Sequence, residues 1–261
     1  MTWRLIAEPS GEAPRGIHGL RAGFSLLECL ISLSLGFFIL LSSLEIAAGA
    51  RKVFFHQKEI QEKELAAGVA LEKIREDLTT AGAGLSAITG IFDFQPFQAG
   101  EEKLMLFSAE EKTSLAEDAA AGQNYLLVAL KPGLSFLPKK GRELVVYDGN
   151  TGGLFSISAV SGNRLTVSPP LSFDFQAGRT EVILLEKIEI YFDRQAGILR
   201  RRVNGTTGQP LMEEVSNFKA AYSPQENLVH LSIIFESGGK VHERELLYYP
   251  KNLPKSQAPG N

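Results

Sequence analysis

The chain has 261 residues, of which 44% are hydrophobic and 22% are charged, and its formal net charge is −3. This composition is that of a globular chain with one modest domain and appendages, and the weak charge gives no support to a general polyanion-binding surface. The single cysteine, Cys29, excludes an intrachain disulfide. We therefore expect the folded part to be held by its hydrophobic core alone.

The first 23 residues are polar and contain three arginines and two prolines. The prolines argue against a helix that runs unbroken from this stretch into the next one. Basic side chains stand on both sides of the apolar segment that follows, so the distribution of positive charge does not decide which end of that segment would face the cytoplasm.

An apolar segment extends from Phe24 to Leu44 and contains one charged residue, Glu28. A helix of this length would span roughly 32 Å, enough to cross a hydrocarbon core of about 30 Å. An acid in such a helix is disfavoured, by about 2.5–3.5 kcal/mol at mid-membrane and by less near an end. The segment is predicted to be a membrane helix in which Glu28 has a specific purpose.

The run Gly-Phe-Ser-Leu-Leu-Glu at positions 23–28 resembles the amino-terminal signature of type IV pilins and type II secretion pseudopilins. The resemblance implies that a prepilin peptidase cuts between Gly23 and Phe24 and methylates the new amine of Phe24. It also implies that Glu28 serves subunit assembly by pairing with that cationic amine in a neighbouring subunit. An unpaired buried charge is costly, so such a pair would fix register more than it would add stability.

Two other interpretations of the apolar segment stay open. The first is a plain signal anchor that happens to contain an acid. The second is a cleaved secretory signal, which is disfavoured because the segment is too long and lacks a small-residue cleavage site at its end.

Strong helix formers continue from Glu45 to Ala81, without proline. Apolar residues recur every seven positions, and two leucines widen the stripe in its second half: Ile46, Val53, Ile60, Ala67, Leu71, Ile74, Leu78 and Ala81. We predict that the second half packs on a folded domain and that Gly82 and Gly84 end the helix. The alternative, a coiled-coil stalk, is disfavoured because Gln57 and Glu64 interrupt the seam.

From about Gly90 the pattern indicates β-structure. The candidate strands are Lys103–Ser108, Tyr125–Lys131, Glu143–Asp148, Leu154–Val160, Arg164–Ser168, Glu181–Asp193, Ile198–Val203, Val215–Tyr222, Leu228–Glu236 and Val241–Tyr249. Hairpin turns are predicted at 161–163 and 194–197. In Leu228–Glu236 the apolar side chains alternate with His230, Ser232 and Glu236, which predicts a sheet with one face on the core and the helical stripe as its cover.

The predicted fold class is therefore α+β: a long amino-terminal helix, half membrane-spanning and half amphipathic, packed on an antiparallel β-domain. This is the architecture of pilins. Several later runs look more loosely like PilW-type minor pilins and the J-type type II secretion pseudopilin: Glu76-Asp77-Leu78, Ala81–Gly84, Gly197–Arg201, Glu214-Val215, Phe218 and Tyr222. The resulting division is a leader at 1–23, a membrane helix at 24–44, its amphipathic continuation at 45–84, a β-rich domain at 85–250 and a loose tail at 251–261.

No catalytic or metal-binding pattern is evident, so we expect no enzyme activity, no metal and no cofactor. The histidines, His18, His56, His230 and His242, lack zinc-ligand spacing. Glu186, Glu189 and Asp193 indicate a solvated strand face more than paired catalytic carboxylates. The 148–153 loop indicates a turn more than a calcium site. The three arginines at 200–202 indicate a charged sheet edge that blocks aggregation more than a contact to DNA phosphates.

The expected function is that of a minor pilin or pseudopilin, a structural subunit in the initiation or tip complex of a type IV pilus or pseudopilus. The expected partners are a prepilin peptidase, other major and minor pilin-like subunits, the assembly platform and the inner membrane. The chain would cross that membrane once, with its soluble domain outside the cytoplasm, before it enters the filament. Two alternatives are a tip module that binds DNA, a surface or a secreted substrate, and a membrane-anchored exported enzyme.

Overall fold

The computed structural model describes residues 25–88, 94–129 and 138–252. Within these ranges the chain forms one long α-helix followed by twelve β-strands, and every strand pair is antiparallel. The chain divides into two compact units, Met1–Phe55 and His56–Asn261. The α+β class predicted from the sequence is confirmed.

The helix, α1, spans Leu26–Thr80 without a break. It ends where the sequence predicts, because Gly82 and Gly84 follow with φ of +76° and +72°, a region that disfavours other residues. The turn after the helix is fixed by backbone hydrogen bonds to a strand: the Gly82 amide donates to the Phe107 carbonyl at 2.8 Å, and the Ala109 amide donates to the Ala83 carbonyl at 2.9 Å.

Within the first unit, every described residue, from 25 to 55, is exposed. In the part of the chain that the structure describes, one helix is long and apolar enough to cross a membrane, and this stretch supplies its apolar part. Large side chains stand almost free of contact, with Leu26 at 86% and Phe38 at 73% exposure. Such a surface is unfavourable in water and calls for a lipid or protein environment.

Within the second unit, the helix buries one face. Buried residues recur every three or four positions at Ala67, Ala70, Leu71, Ile74 and Leu78. This spacing puts them on one side of the helix, where they join the main hydrophobic core. The prediction that the second half of the stripe packs on the folded domain is confirmed.

The larger sheet has nine strands. They are β1 (Phe97–Gly100), β2 (Lys103–Ser114), β3 (Tyr125–Leu127), β4 (Glu143–Tyr147), β5 (Gly152–Ser161), β6 (Arg164–Ser168), β7 (Glu181–Asp193), β8 (Ile198–Val203) and β9 (Gln209–Met212). The main path through the sheet is β1-β2-β7-β4-β5-β6-β3. Strand β7 lies along β2 on one edge, and its other edge is shared between β4 at 181–184 and β8 at 188–193.

The smaller sheet has the order β10 (Val215–Ser223), β11 (Leu228–Ser237) and β12 (Lys240–Tyr248). The inner side chains of β11 are Val229, Leu231, Ile233 and Phe235, all fully buried in the cluster that contains the helical stripe. The predicted cover of the sheet by the helix is confirmed. The outer-face residue Ser232 differs from the prediction because it is 2% exposed; it lies on the central strand, opposite Lys219 and Glu245 of the two adjacent strands.

Three predicted strands, now β6, β7 and β8, have the bounds that the sequence indicated. Strand β2 continues six residues beyond its predicted end, to Ser114, and β3 is shorter, while residues 130 and 131 lie outside the described part. Strands β1 and β9 were not predicted. Each has four residues, and β9 contains Pro210, which lowers strand propensity except at a sheet edge.

Candidate functional site

The first turn of α1 closes on itself through two hydrogen bonds. The Ser25 amide donates to the Glu28 Oε2 at 3.0 Å, and the Glu28 amide donates to the Ser25 Oγ at 3.1 Å. This reciprocal pair is a capping box, which satisfies backbone amides that a helix start leaves without a partner. Gly23 and Phe24, the predicted cleavage and methylation residues, lie outside the described residues.

The capping box gives Glu28 a favourable setting at the start of an apolar helix. Its carboxylate accepts a backbone hydrogen bond and stands at the helix end that carries partial positive charge. Only Oε2 takes part in this bond. Among the described residues no donor reaches its other oxygen, so Glu28 can accept a second hydrogen bond while its own helix already holds the side chain.

Two serine hydroxyls of the apolar segment form hydrogen bonds within the helix. The hydroxyls of Ser34 and Ser43 donate to the carbonyls of Leu30 and Ile39, both at 2.8 Å. A Cβ added at Gly36 would meet no atom within 4 Å, so this position leaves space for a close approach by another chain. These two hydroxyls need no partner from outside the helix, and the exposed side chains around them are mainly apolar, as a lipid or helix-packing surface requires.

The three consecutive arginines do not form a charged sheet edge, and that prediction is wrong. Strand β8 lies between β7 and β9, and both Arg200 and Arg201 have a partner residue in β9. Arg200 pairs with Asp193 at 3.0 Å, and Arg202 pairs with Glu189. Alternation along the strand sends Arg201 to the opposite face, towards the helix.

Arg201 forms a two-pronged ion pair with Asp77 of the helix. The Arg201 Nε and Nη2 donate to the two carboxylate oxygens at 2.6 and 2.9 Å, and the Asp77 residue is only 5% exposed. The hydrogen bond to Asp77 raises the pKa of Arg201. Sequence reasoning missed this pair, although an acid at position 77, between Ile74 and Leu78 on the apolar stripe, marked a buried carboxylate in need of a cation.

The predicted solvated face at Glu186, Glu189 and Asp193 is wrong for Glu189. This residue is 5% exposed, and its carboxylate contacts the Lys103 ammonium at 3.0 Å as well as Arg202. Burial opposes ionisation, but the hydrogen bonds from Arg202 and Lys103 outweigh it and hold the pKa of Glu189 below its usual value. The cluster neutralises itself and ties β2, β7 and β8 together.

The loop at 148–153 is a turn closed by Asp148. The Asp148 Oδ1 accepts the amides of Asn150 and Thr151 at 2.9 and 2.8 Å, the pattern by which an aspartate closes a turn. Within residues 25–88, 94–129 and 138–252, no group of three or more His, Cys, Asp or Glu side chains is placed to hold a metal. His18 lies outside these ranges.

No protein-family model matches this chain, and no curated protein matches it. Among solved structures, a partial match is the Gp54 tailspike of Acinetobacter baumannii bacteriophage AP22, in complex with A. baumannii capsular saccharide. The match has 20% identity and a TM-score of 0.25, and it covers 31% of this chain and 15% of the tailspike chain. A likeness of this extent carries no argument about fold or function.

Proposed function

We propose that the chain is a minor pilin or pseudopilin, a non-catalytic subunit of a type IV pilus or type II secretion pseudopilus. In this proposal a prepilin peptidase cuts after Gly23 and methylates Phe24. The subunit then stands in the inner membrane, with its β-domain outside the cytoplasm, until the assembly platform adds it to a filament of pilin-like subunits. Its place is in the initiation or tip complex.

The observation that carries the proposal is that one helix has an exposed apolar part and a part whose apolar stripe is buried in a core. Apolar side chains from Leu26 to Leu44 are exposed, whereas the stripe from Ala67 to Leu78 is buried against antiparallel strands. One continuous element, α1, thus has a surface suited to lipid or helix packing and a surface suited to a protein core. A subunit that moves from a membrane to a filament needs both surfaces.

The position of Glu28 supports an assembly role. The acid lies in the first turn of α1, four residues after Phe24, whose amine would be freed by cleavage. A free amine is cationic near neutral pH, and N-methylation keeps that charge. In a bundle of apolar helices a carboxylate of one subunit and an amine of the next would each remove the cost of leaving the other unpaired.

The alternative of a DNA-binding tip module has no support from the arginine run. Arg200, Arg201 and Arg202 are each engaged by an acid of the same chain. Phosphate contacts would have to displace these acids, and the net charge of −3 adds no general attraction.

The first test is the intact mass of the protein from membranes of cells with and without the prepilin peptidase. We expect a chain that begins at N-methylated Phe24 only when the peptidase is present. A chain that keeps residues 1–23 in both strains would refute the proposed processing and leave a simple membrane anchor.

The second test separates assembly from helix capping. Glu28→Ala removes the acid, while Ser25→Ala removes the Ser25 hydroxyl of the capping box and keeps the acid. We expect both variants to insert into the membrane and to be cut, and only Glu28→Ala to be missing from isolated filaments. Equal exclusion of both variants would mean that the capping box, and not a carboxylate available to a neighbour, is what assembly needs.

A further inference from the structure

Strand β12 offers an unpaired edge. Among the described residues it is bonded to β11 alone, and its register with β11 runs without a bulge from Lys240 to Tyr248. No proline interrupts it. A regular strand of this length exposes backbone N–H and C=O groups on alternate residues of its free side, and such an edge is a template for another strand.

A groove runs beside this edge, between β12 and the exposed flank of α1. Its volume is ≈ 640 Å³, and the residues that line it are Gln61, Glu64, Leu65, Gly68, Val69, Glu72, Arg244 and Glu245. Leu65 and Val69 are 69% and 62% exposed, so the helix carries an apolar shelf that no described residue covers. Arg244 bridges to Glu64 at 2.7 Å and fixes the spacing between strand and helix.

We propose that this groove, formed by the β12 edge and the shelf of Leu65, Gly68 and Val69, binds an extended segment of another polypeptide as a fourth strand of the smaller sheet. Backbone hydrogen bonds to β12 would supply the alignment. Alternate side chains of the added strand would cover the shelf, as in recognition by strand addition. The proposal rests on the second unit alone and does not depend on processing at Gly23.

The two faces of β12 define the chemistry of the partner. The inward residues include His242 and Arg244, opposite the buried Phe235 and Ile233, and Arg244 lines the groove together with Leu65 and Val69, so inward side chains of an added strand face this shelf. The outward residues are Val241, Glu243, Glu245 and Leu247, all exposed, so two acids occupy the middle of this face. The fitting segment therefore alternates apolar side chains with Lys or Arg.

Two other occupants fit less well. A second copy of β12, paired antiparallel over its whole length, would set Glu243 opposite Glu245, and like charges in that position are destabilising. The chain's own residues 253–261 include Pro254 and Pro259, which lack the N–H that a ladder requires. A strand from another polypeptide, with basic outward residues, avoids both the pairing of like charges and the missing N–H groups.

The test measures binding of a fluorescent peptide, Lys-Val-Lys-Val-Lys-Val-Lys, to the full chain in detergent micelles by anisotropy. A copy with methylated amides on alternate residues serves as the backbone control, and a copy with Glu in place of Lys serves as the charge control. We expect saturable binding of the first peptide, slower hydrogen exchange of β12 amides on binding, and binding weaker by about tenfold or more for each control.

The variant Gly68→Leu should block the groove. A Cβ at Gly68 meets nothing within 4 Å, so a side chain can start there and extend into the groove, and leucine favours the helix more than glycine does. Gly49→Leu is the matched control, because Gly49 is equally open on the same helix and lies outside the groove. We expect Gly68→Leu to weaken binding by about tenfold and Gly49→Leu to change it by less than about twofold.

Three results would overturn the proposal. Equal binding by Gly68→Leu and Gly49→Leu would place the peptide elsewhere. Binding that is unaffected by amide methylation would show that no ladder forms. Binding that appears only after residues 253–261 are removed would identify the chain's own tail as the occupant.

Discussion

Replacing Arg201 by methionine would test whether the ion pair between helix and sheet holds the second unit together. In the folded chain the Asp77 carboxylate is buried and its two oxygens are held by Arg201 at 2.6 and 2.9 Å. Methionine keeps an unbranched apolar side chain of similar reach but removes the charge. The variant leaves Asp77 as a buried acid without its cation.

The expected loss follows from burial. Breaking a buried pair by removing one partner costs about 3–5 kcal/mol, because the remaining charge is uncompensated. Arg200→Met is the matched control on the adjacent residue: both members of the Arg200–Asp193 pair are at least 25% exposed, and exposed pairs contribute little to stability. Replacing both Asp77 and Arg201 by apolar residues should recover most of the loss.

Urea unfolding of the full chain in micelles, followed by near-ultraviolet circular dichroism of tyrosine, measures these differences. All six tyrosines lie between positions 125 and 249, so the measurement reports the second unit. We expect Arg201→Met to lose at least about 2 kcal/mol more than Arg200→Met. Equal losses from the two variants, or a double variant as unstable as Arg201→Met, would refute the argument that an unpaired buried carboxylate is the cause.

Three further outcomes are expected in the same unfolding assay. Ile74→Ala, at a fully buried position, should cost about 2–5 kcal/mol, while Val69→Ala, at 62% exposure, should stay within about 0.5 kcal/mol. The pKa of Glu189 is below its usual 4.5 in the fold, so its ion pairs stabilise the chain fully above that pH, and this contribution is lost as the pH falls through the lowered pKa. Glu189→Gln should therefore weaken the fall in the free energy of unfolding at acid pH. An unchanged fall would contradict this reasoning. Gly84→Ala should destabilise the fold more than Gly122→Ala. Both glycines have positive φ, which costs an alanine about 1–2 kcal/mol, but a Cβ at Gly84 would also lie 2.8 Å from a neighbouring side chain.

The helix and most strands could be predicted because their patterns are local. The stripe that includes Ala67, Ile74 and Leu78 repeats at helical spacing, and the alternation in β11 repeats at strand spacing, so each indicates both its structure and its buried face. Three strands were predicted at their observed bounds for the same reason. Short strands such as β1 and β9 have too few residues to show a period.

The charged contacts could not be predicted, because they join residues far apart in the chain. Asp77 and Arg201 are separated by 124 positions, and their meeting depends on where β8 lies in the sheet as well as on alternation along β8. The local sequence places Glu189 on a solvated face because its neighbours alternate as on a surface strand. Its burial depends on Lys103 of β2 and Arg202 of β8, which the local sequence does not show. The groove beside β12 was missed because an unpaired edge is a property of sheet order, which no single segment encodes.

The reciprocal hydrogen bonds of Ser25 and Glu28 have a consequence for timing. Because the Ser25 amide holds one carboxylate oxygen, a donor from outside the chain can bond the other oxygen without displacing the helix's own first turn. The capping box thus orders the Glu28 side chain before any partner arrives, so that less conformational freedom is left to lose when a second donor binds.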